Sequence, residues 1–308
     1  MSTADITRED VEFVSEGTTV RGWFYRPAVG DAAPSAAVVL AGGWCYVREI
    51  VMPTYAEALA RQGVGALIID YRNFGVSDGP DRQHIDPWAQ ITDYQHALSY
   101  LAGRPDVDAD RLGAWGISYS GGHALILAAI DSRVNAIVSI VPVIDGYRNM
   151  RRVHGTLGFR QLNDVLDRDR ASRSRDGSRL YIPHATAEPW KDLSTWPFPE
   201  TFHTFGQIKS DQAPLYENRS SVESVELLMR YSVDPFLPRV LDKAVLMLVA
   251  EGDDLTLWDL EIEAFNRLST TVKELEILRS ATHMTVYSDQ AKLDHAAARS
   301  AEWLAGHL

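Results

Sequence analysis

The chain has 308 residues, 45% of them hydrophobic, and a formal net charge of -12. That is enough to build the core of an α/β enzyme with an insertion, and the acidic balance argues against a nucleic-acid partner, which needs a basic face. Cys45 is the single cysteine, which excludes an internal disulfide and fits a reducing, cytoplasmic compartment; no apolar leader and no run of about 18 apolar residues is visible, so neither secretion nor a membrane span is expected.

In chain order, residues 11–15 and 19–25 read as an antiparallel hairpin turning at Glu16-Gly17-Thr18. Residues 36–41 form a continuous apolar run, the mark of a strand buried on both faces. Gly42-Gly43-Trp44 follows directly. Residues 53–62 read as a helix stopped by Gly63, and 65–70 as the next buried strand, running into a turn-rich loop, residues 71–79. Residues 87–101 read as an amphipathic helix. The following strand reaches Gly116-Ile117-Ser118-Tyr119-Ser120-Gly121-Gly122, then a helix-forming apolar run, residues 124–130. Residues 134–141 read as another strand. Strand alternating with helix implies a doubly wound, mostly parallel sheet.

The rhythm breaks over residues 145–241, which hold scattered aromatics and no convincing buried strand. Residues 168–179 are so charged that a surface loop is expected, and 222–231 read as a helix. The stretch is expected to be a mainly helical cap inserted into a core of residues 1–144 and 242–308, covering the ends of the parallel strands where ligands bind. Trp190, Trp196, Phe198, Phe202 and Phe205 crowd a stretch broken by Pro189, Pro197 and Pro199. An extended, stiff segment is expected there, with its aromatics forming part of the wall over Ser118. Beyond it, residues 244–250 and 274–278 read as strands, and 257–268 and 289–304 as helices.

Strand, sharp turn with a serine between small residues, then helix is the form of a nucleophile elbow, G-x-S-x-G. The match departs in one place, because Ser120 stands where the last glycine belongs. Ser120 itself is a weaker candidate nucleophile, two residues too far from the strand end. An acid after one strand, Asp253 or Asp254, and His283 after the next complete a Ser–Asp–His order along the chain. Histidine suits proton transfer near neutral pH, and a buried acid holds its useful tautomer. Cys45 has no base placed beside it by the pattern, and the other histidines read as structural or solvated. No His or Cys spacing suggests a metal, and Gly42-Gly43 lacks the frame of a phosphate loop, so no metal and no cofactor are expected.

Taken in order, these segments resemble the α/β-hydrolase superfamily over essentially the full length. They are similar to its serine esterase and peptidase branch, near dienelactone-hydrolase-like and cocaine-esterase or X-Pro dipeptidyl-peptidase-like members. The family commonly carries His-Gly where this chain has Gly42-Gly43. The resemblance implies Ser118 as nucleophile, His283 as base and Asp253 as the acid, with Tyr119 and Trp44 supplying the oxyanion-hole N–H groups. Substrate contacts are expected from Tyr46, Trp190, Trp196 and Phe202. The implied activity is serine hydrolysis of a carboxylic ester or related acyl bond. Turnover of a thioester, a lactone or a C–C bond beside a ketone, or acyl transfer, are alternatives, as is a binding protein on the same scaffold. The expected partner is a bulky, partly apolar small molecule, with a homodimer also possible and no nucleic acid or membrane.

Overall fold

The computed structural model describes residues 6–27 and 34–308. Eight strands form one sheet. β1 (Arg8–Ser15) and β2 (Thr18–Tyr25) make the hairpin, and β2 also runs antiparallel to β4 (Gly65–Asp70). From β4 through β3 (Ser35–Ala41), β5 (Val107–Ile117), β6 (Val134–Ile140) and β9 (Ala244–Ala250) to β10 (Lys273–Leu278), every pairing is parallel. Every residue of β4 and of β9 is buried, which is why these strands read as unbroken apolar runs.

Helices cover both faces. On one, α1 (Met52–Arg61) packs against the last helix, α10 (Gln290–His307), which follows the short α9 (Thr285–Ser288). The Trp115 ring of β5 packs tilted against Tyr55 of α1, centroids 4.4 Å apart, and gives its Nε1–H to Ser300 of α10. On the other lie α2 (Pro87–Ala102), α3 (Tyr119–Ile130) and α8 (Trp258–Arg267). Tyr94 of α2 donates to the Trp115 carbonyl at 2.6 Å. The chain winds from β3 to β4 in one direction and from β5 to β6 in the other. The crevice between the carboxyl ends of β3 and β5 is therefore the place where the sheet opens to a ligand.

The excursion between β6 and β9 carries α4 (Gly146–Val153), α5 (Gly155–Asp176), α6 (Pro199–Asp211) and α7 (Val222–Met229), with a two-stranded ribbon of β7 (Tyr181–Pro183) and β8 (Arg219–Ser221). Two expectations fail here. The charged stretch after Arg168 is the end of a 22-residue helix rather than a loop. It is held because Arg173 pairs with Asp169 on its own helix and with Glu223 and Glu226 on α7. Nor is the aromatic segment extended throughout. Pro199 opens α6 from the first helical turn, where the missing N–H costs no intrahelical bond.

Candidate active site

Ser118 follows β5 directly and caps α3 with φ 57° and ψ −118°, a strained backbone for a residue with a Cβ. Bonds to its own peptide hold it there. Its N–H donates to the Ile140 carbonyl at 2.8 Å, and its carbonyl accepts from Gly121 and Val143. Gly116 is obligatory, since a Cβ there would strike the Ser120 carbonyl. Ser120 can replace the usual glycine because its side chain turns the other way. Its hydroxyl donates to the Gly42 carbonyl and receives the Tyr71 hydroxyl at 2.6 Å. This bond ties the elbow to the loop after β3.

That loop lies against the serine. A Cβ on Gly43 would stand 2.8 Å from Ser118 Cβ, and one on Gly42 would collide with the Tyr46 ring. The second contact explains why glycine stands at 42 in this chain. Among the described residues, the N–H groups of Trp44 and Tyr119 donate to no other group. Cys45 faces away and gives its S–H to the Arg219 carbonyl at 3.3 Å. Burial first, then Glu217, push its thiol pKa up, against any role as a nucleophile.

Of the two candidate acids, Asp253 turns inward and is buried, whereas Asp254 is exposed. Asp253 Oδ1 accepts the N–H groups of Leu255 and Thr256, and Oδ2 accepts His283 Nδ1–H at 2.7 Å. Burial raises its pKa, but the His283 charge and these donors more than offset that, and it is held below the usual carboxylate range. His283 Nε2 faces Tyr287 Oη at 3.5 Å, and among the described residues no hydrogen bond joins it to Ser118 Oγ.

Behind the pair stands a second buried carboxyl, Glu261. Thr256 Oγ1 lies 2.9 Å from Asp253 Oδ2, 2.8 Å from Glu261 Oε1 and 3.1 Å from His283 Nδ1. One hydroxyl proton cannot satisfy two carboxylates. The network closes when Thr256 donates to Asp253 and Glu261, as a neutral acid, donates to Thr256. Burial first, then the Asp253 charge, raise the Glu261 pKa well above the usual range, in agreement.

Ser118 and His283 border one narrow cavity, with Trp44, Tyr46 and Tyr287 on the core side. From the excursion come His184, Trp196, Thr201 and Phe205. The free space is about 10 Å³, room for a single water. No carboxylate is among the lining residues. Trp196 is buried edge-on against Trp44, and Tyr46 packs on Phe205 and Tyr287. The expected roles of Trp190 and Phe202 are not met. Trp190 is 78% exposed, Phe202 is 38% exposed, and each lines a different outer groove. The helix that starts at Pro199 turns Thr201 and Phe205 inward and Phe202 outward. His184, Thr201, Met284, Leu255 and Tyr287 carried no sequence signal. Only the spacing of Tyr287 one helical turn after His283 could have pointed to it.

A family model described as X-Pro dipeptidyl-peptidase (S15 family) matches residues 16–227. The chain belongs to this family. It is 40% identical over 140 residues to the thiohydrolase aneE of Aspergillus aculeatus, a match spanning 45% of this chain and 43% of that protein. To the polyketide transferase claH of Penicillium crustosum it is 28% identical over 291 residues, 92% of each chain. Among solved structures, the α/β hydrolase GrgF from Penicillium sp. sh18 superposes with a TM-score of 0.80 at 23% identity, over 98% of this chain and 99% of that one. The fold is that of the α/β hydrolases, and this S15-family protein is a hydrolase. No helix among the described residues is long and apolar enough to cross a membrane.

Proposed function

We propose that this S15-family chain is a cofactor-independent serine hydrolase that cleaves ester or thioester acyl bonds through an acyl-enzyme. One observation carries the reading: His283, held by the inward Asp253, borders the same narrow cavity as the strained elbow serine. Ser118 Oγ attacks the carbonyl carbon and its proton passes to His283 Nε2. Asp253 accepts Nδ1–H and offsets the imidazolium charge. The oxyanion is received by the free N–H groups of Trp44 and Tyr119. His283 returns the proton to the leaving oxygen or sulfur, and water or an alcohol then takes the acyl group by the reverse proton path. Residues 145–241 act as the cap, which must swing to admit substrate because the cavity is water-sized.

The cavity's aromatic lining and lack of a carboxylate favour a neutral, partly apolar acyl group over a peptide with a free ammonium. Thioesters are suggested by the relative named a thiohydrolase. Acyl transfer is the second reading, favoured by a cavity with room for little more than one water and by the relative named a polyketide transferase. We take the compartment to be the cytoplasm, in keeping with a single buried thiol. The test is labelling by a fluorophosphonate together with turnover of matched oxygen esters and thioesters, with and without an alcohol acceptor. Ser118→Ala is expected to abolish labelling and to lower kcat by about 10⁴-fold or more. Labelling that persists in Ser118→Ala would overturn the assignment.

A further inference from the structure

The cap side of the cavity presents two polar groups without a hydrogen-bond partner among the described residues. Thr201 Oγ1 is buried and has no hydrogen-bond partner among the described residues. His184, 3% exposed, lines the same cavity. Its Nδ1 meets Tyr216 Oη at 2.7 Å, and no described group bonds to its Nε2.

The protons behind His184 can be assigned. Asn218 accepts Ala185 N–H on Oδ1 and gives Nδ2–H to the Ala185 carbonyl, both at 3.0 Å. This pairing fixes the amide, so Oδ1 is an acceptor and Tyr216 donates its hydroxyl to it at 3.2 Å. In the arrangement that makes both contacts hydrogen bonds, Tyr216 Oη accepts from His184. Nδ1 therefore carries the imidazole hydrogen, and Nε2 is a bare lone pair. Burial, and then the neighbouring His283, push the His184 pKa down to about 3, so the ring stays neutral near physiological pH. A polar group without a partner in a ligand cavity marks where a ligand group belongs.

We propose that His184 Nε2 and Thr201 Oγ1 form a subsite for a hydroxyl group held close to the scissile carbonyl. The hydroxyl donates to Nε2 and accepts from Thr201 Oγ1–H. A carboxylate or phosphate finds no cation here, and a carbonyl would leave His184 unmatched. Because one water-sized space is bordered by His184, Thr201, Ser118 and His283 together, the hydroxyl is within a few bonds of the reacting carbon. It is carried either on the acyl chain, at the second or third carbon, or by the alcohol that accepts the acyl group. The inference rests on the acyl-serine reading.

The experiment uses the full chain and p-nitrophenyl butanoate against its 2-hydroxy and 3-hydroxy forms, each with and without benzyl alcohol. In one arm, a hydroxylated ester is turned over with kcat/KM at least about 10-fold above the plain one. In the other, benzyl alcohol captures the acyl group in preference to water. Either result supports the subsite if His184→Phe brings the corresponding ratio to near one. Thr201→Val and Tyr216→Phe provide the same readout should His184→Phe fail to fold. Tyr216→Phe acts by freeing the ring to move its hydrogen to Nε2. No hydroxyl preference and no alcohol capture in the wild type overturns the proposal, as does a variant that slows all substrates in parallel and leaves the ratio unchanged. Fluorophosphonate labelling, read separately, reports on the acyl-serine reading alone.

Discussion

Glu261→Gln tests whether the carboxyl behind the Asp253–His283 pair is neutral. Glu261 Oε1 and His283 Nδ1 both bond to Thr256 Oγ1, at 2.8 and 3.1 Å, so they lie no more than about 6 Å apart. Were Glu261 ionised, its charge would stabilise the imidazolium by about 3 kcal/mol at an effective dielectric constant of about 20. Removing that charge would shift the acid limb of the kcat/KM profile downward by about two pH units. The proton count at Thr256 requires a neutral acid, and Gln is its near-isostere, able to donate an N–H to Thr256. The expected result is an acid limb displaced by less than about 0.5 unit. Infrared difference spectra should also show a protonated-carboxyl C=O band that disappears in Glu261→Gln. A downward shift near two units, or the absence of that band, would refute the argument.

Three further outcomes follow from the geometry. Gly43→Ala places a Cβ 2.8 Å from Ser118 Cβ; displacement of the elbow or the loop should lower kcat/KM by about 10²-fold, and steady-state kinetics that match the wild type would contradict the packing. Asp70 accepts N–H groups from Arg48 and Val76, and burial raises its pKa to about 7. A folded-state pKa above the unfolded value of about 3.9 means stability is greatest below that value and is lost as pH rises towards 7. The non-titrating Asp70→Asn should therefore close its stability gap to the wild type, by a few kcal/mol, between pH 4 and 7 in urea melts; a gap that widens over that range would reverse the sign. Trp196→Ala removes a buried ring and should cost about 3–5 kcal/mol, whereas Trp190→Ala, at a 78% exposed site, should stay within about 0.5 kcal/mol and leave KM unchanged, which denaturation curves and kinetics will decide.

The sequence on its own determined the parallel core and the elbow. Strands buried on both faces need apolar side chains throughout, so residues 65–70 and 244–250 read directly as β4 and β9. A tight strand-to-helix turn needs small neighbours, which made Ser118 visible. Tertiary structure decided the rest, because each remaining question turned on a partner distant in the chain. Asp253 and Asp254 differ only in which side chain the loop turns towards His283. The charged end of α5 is helical because α7 supplies Glu223 and Glu226. His184 enters the cavity because the β7–β8 ribbon and Asn218 place it there, while Trp190, in the most aromatic-rich stretch, faces solvent. Local composition records which residues need burial or a tight turn, but the direction a side chain takes in an irregular excursion is set by contacts that no spacing encodes.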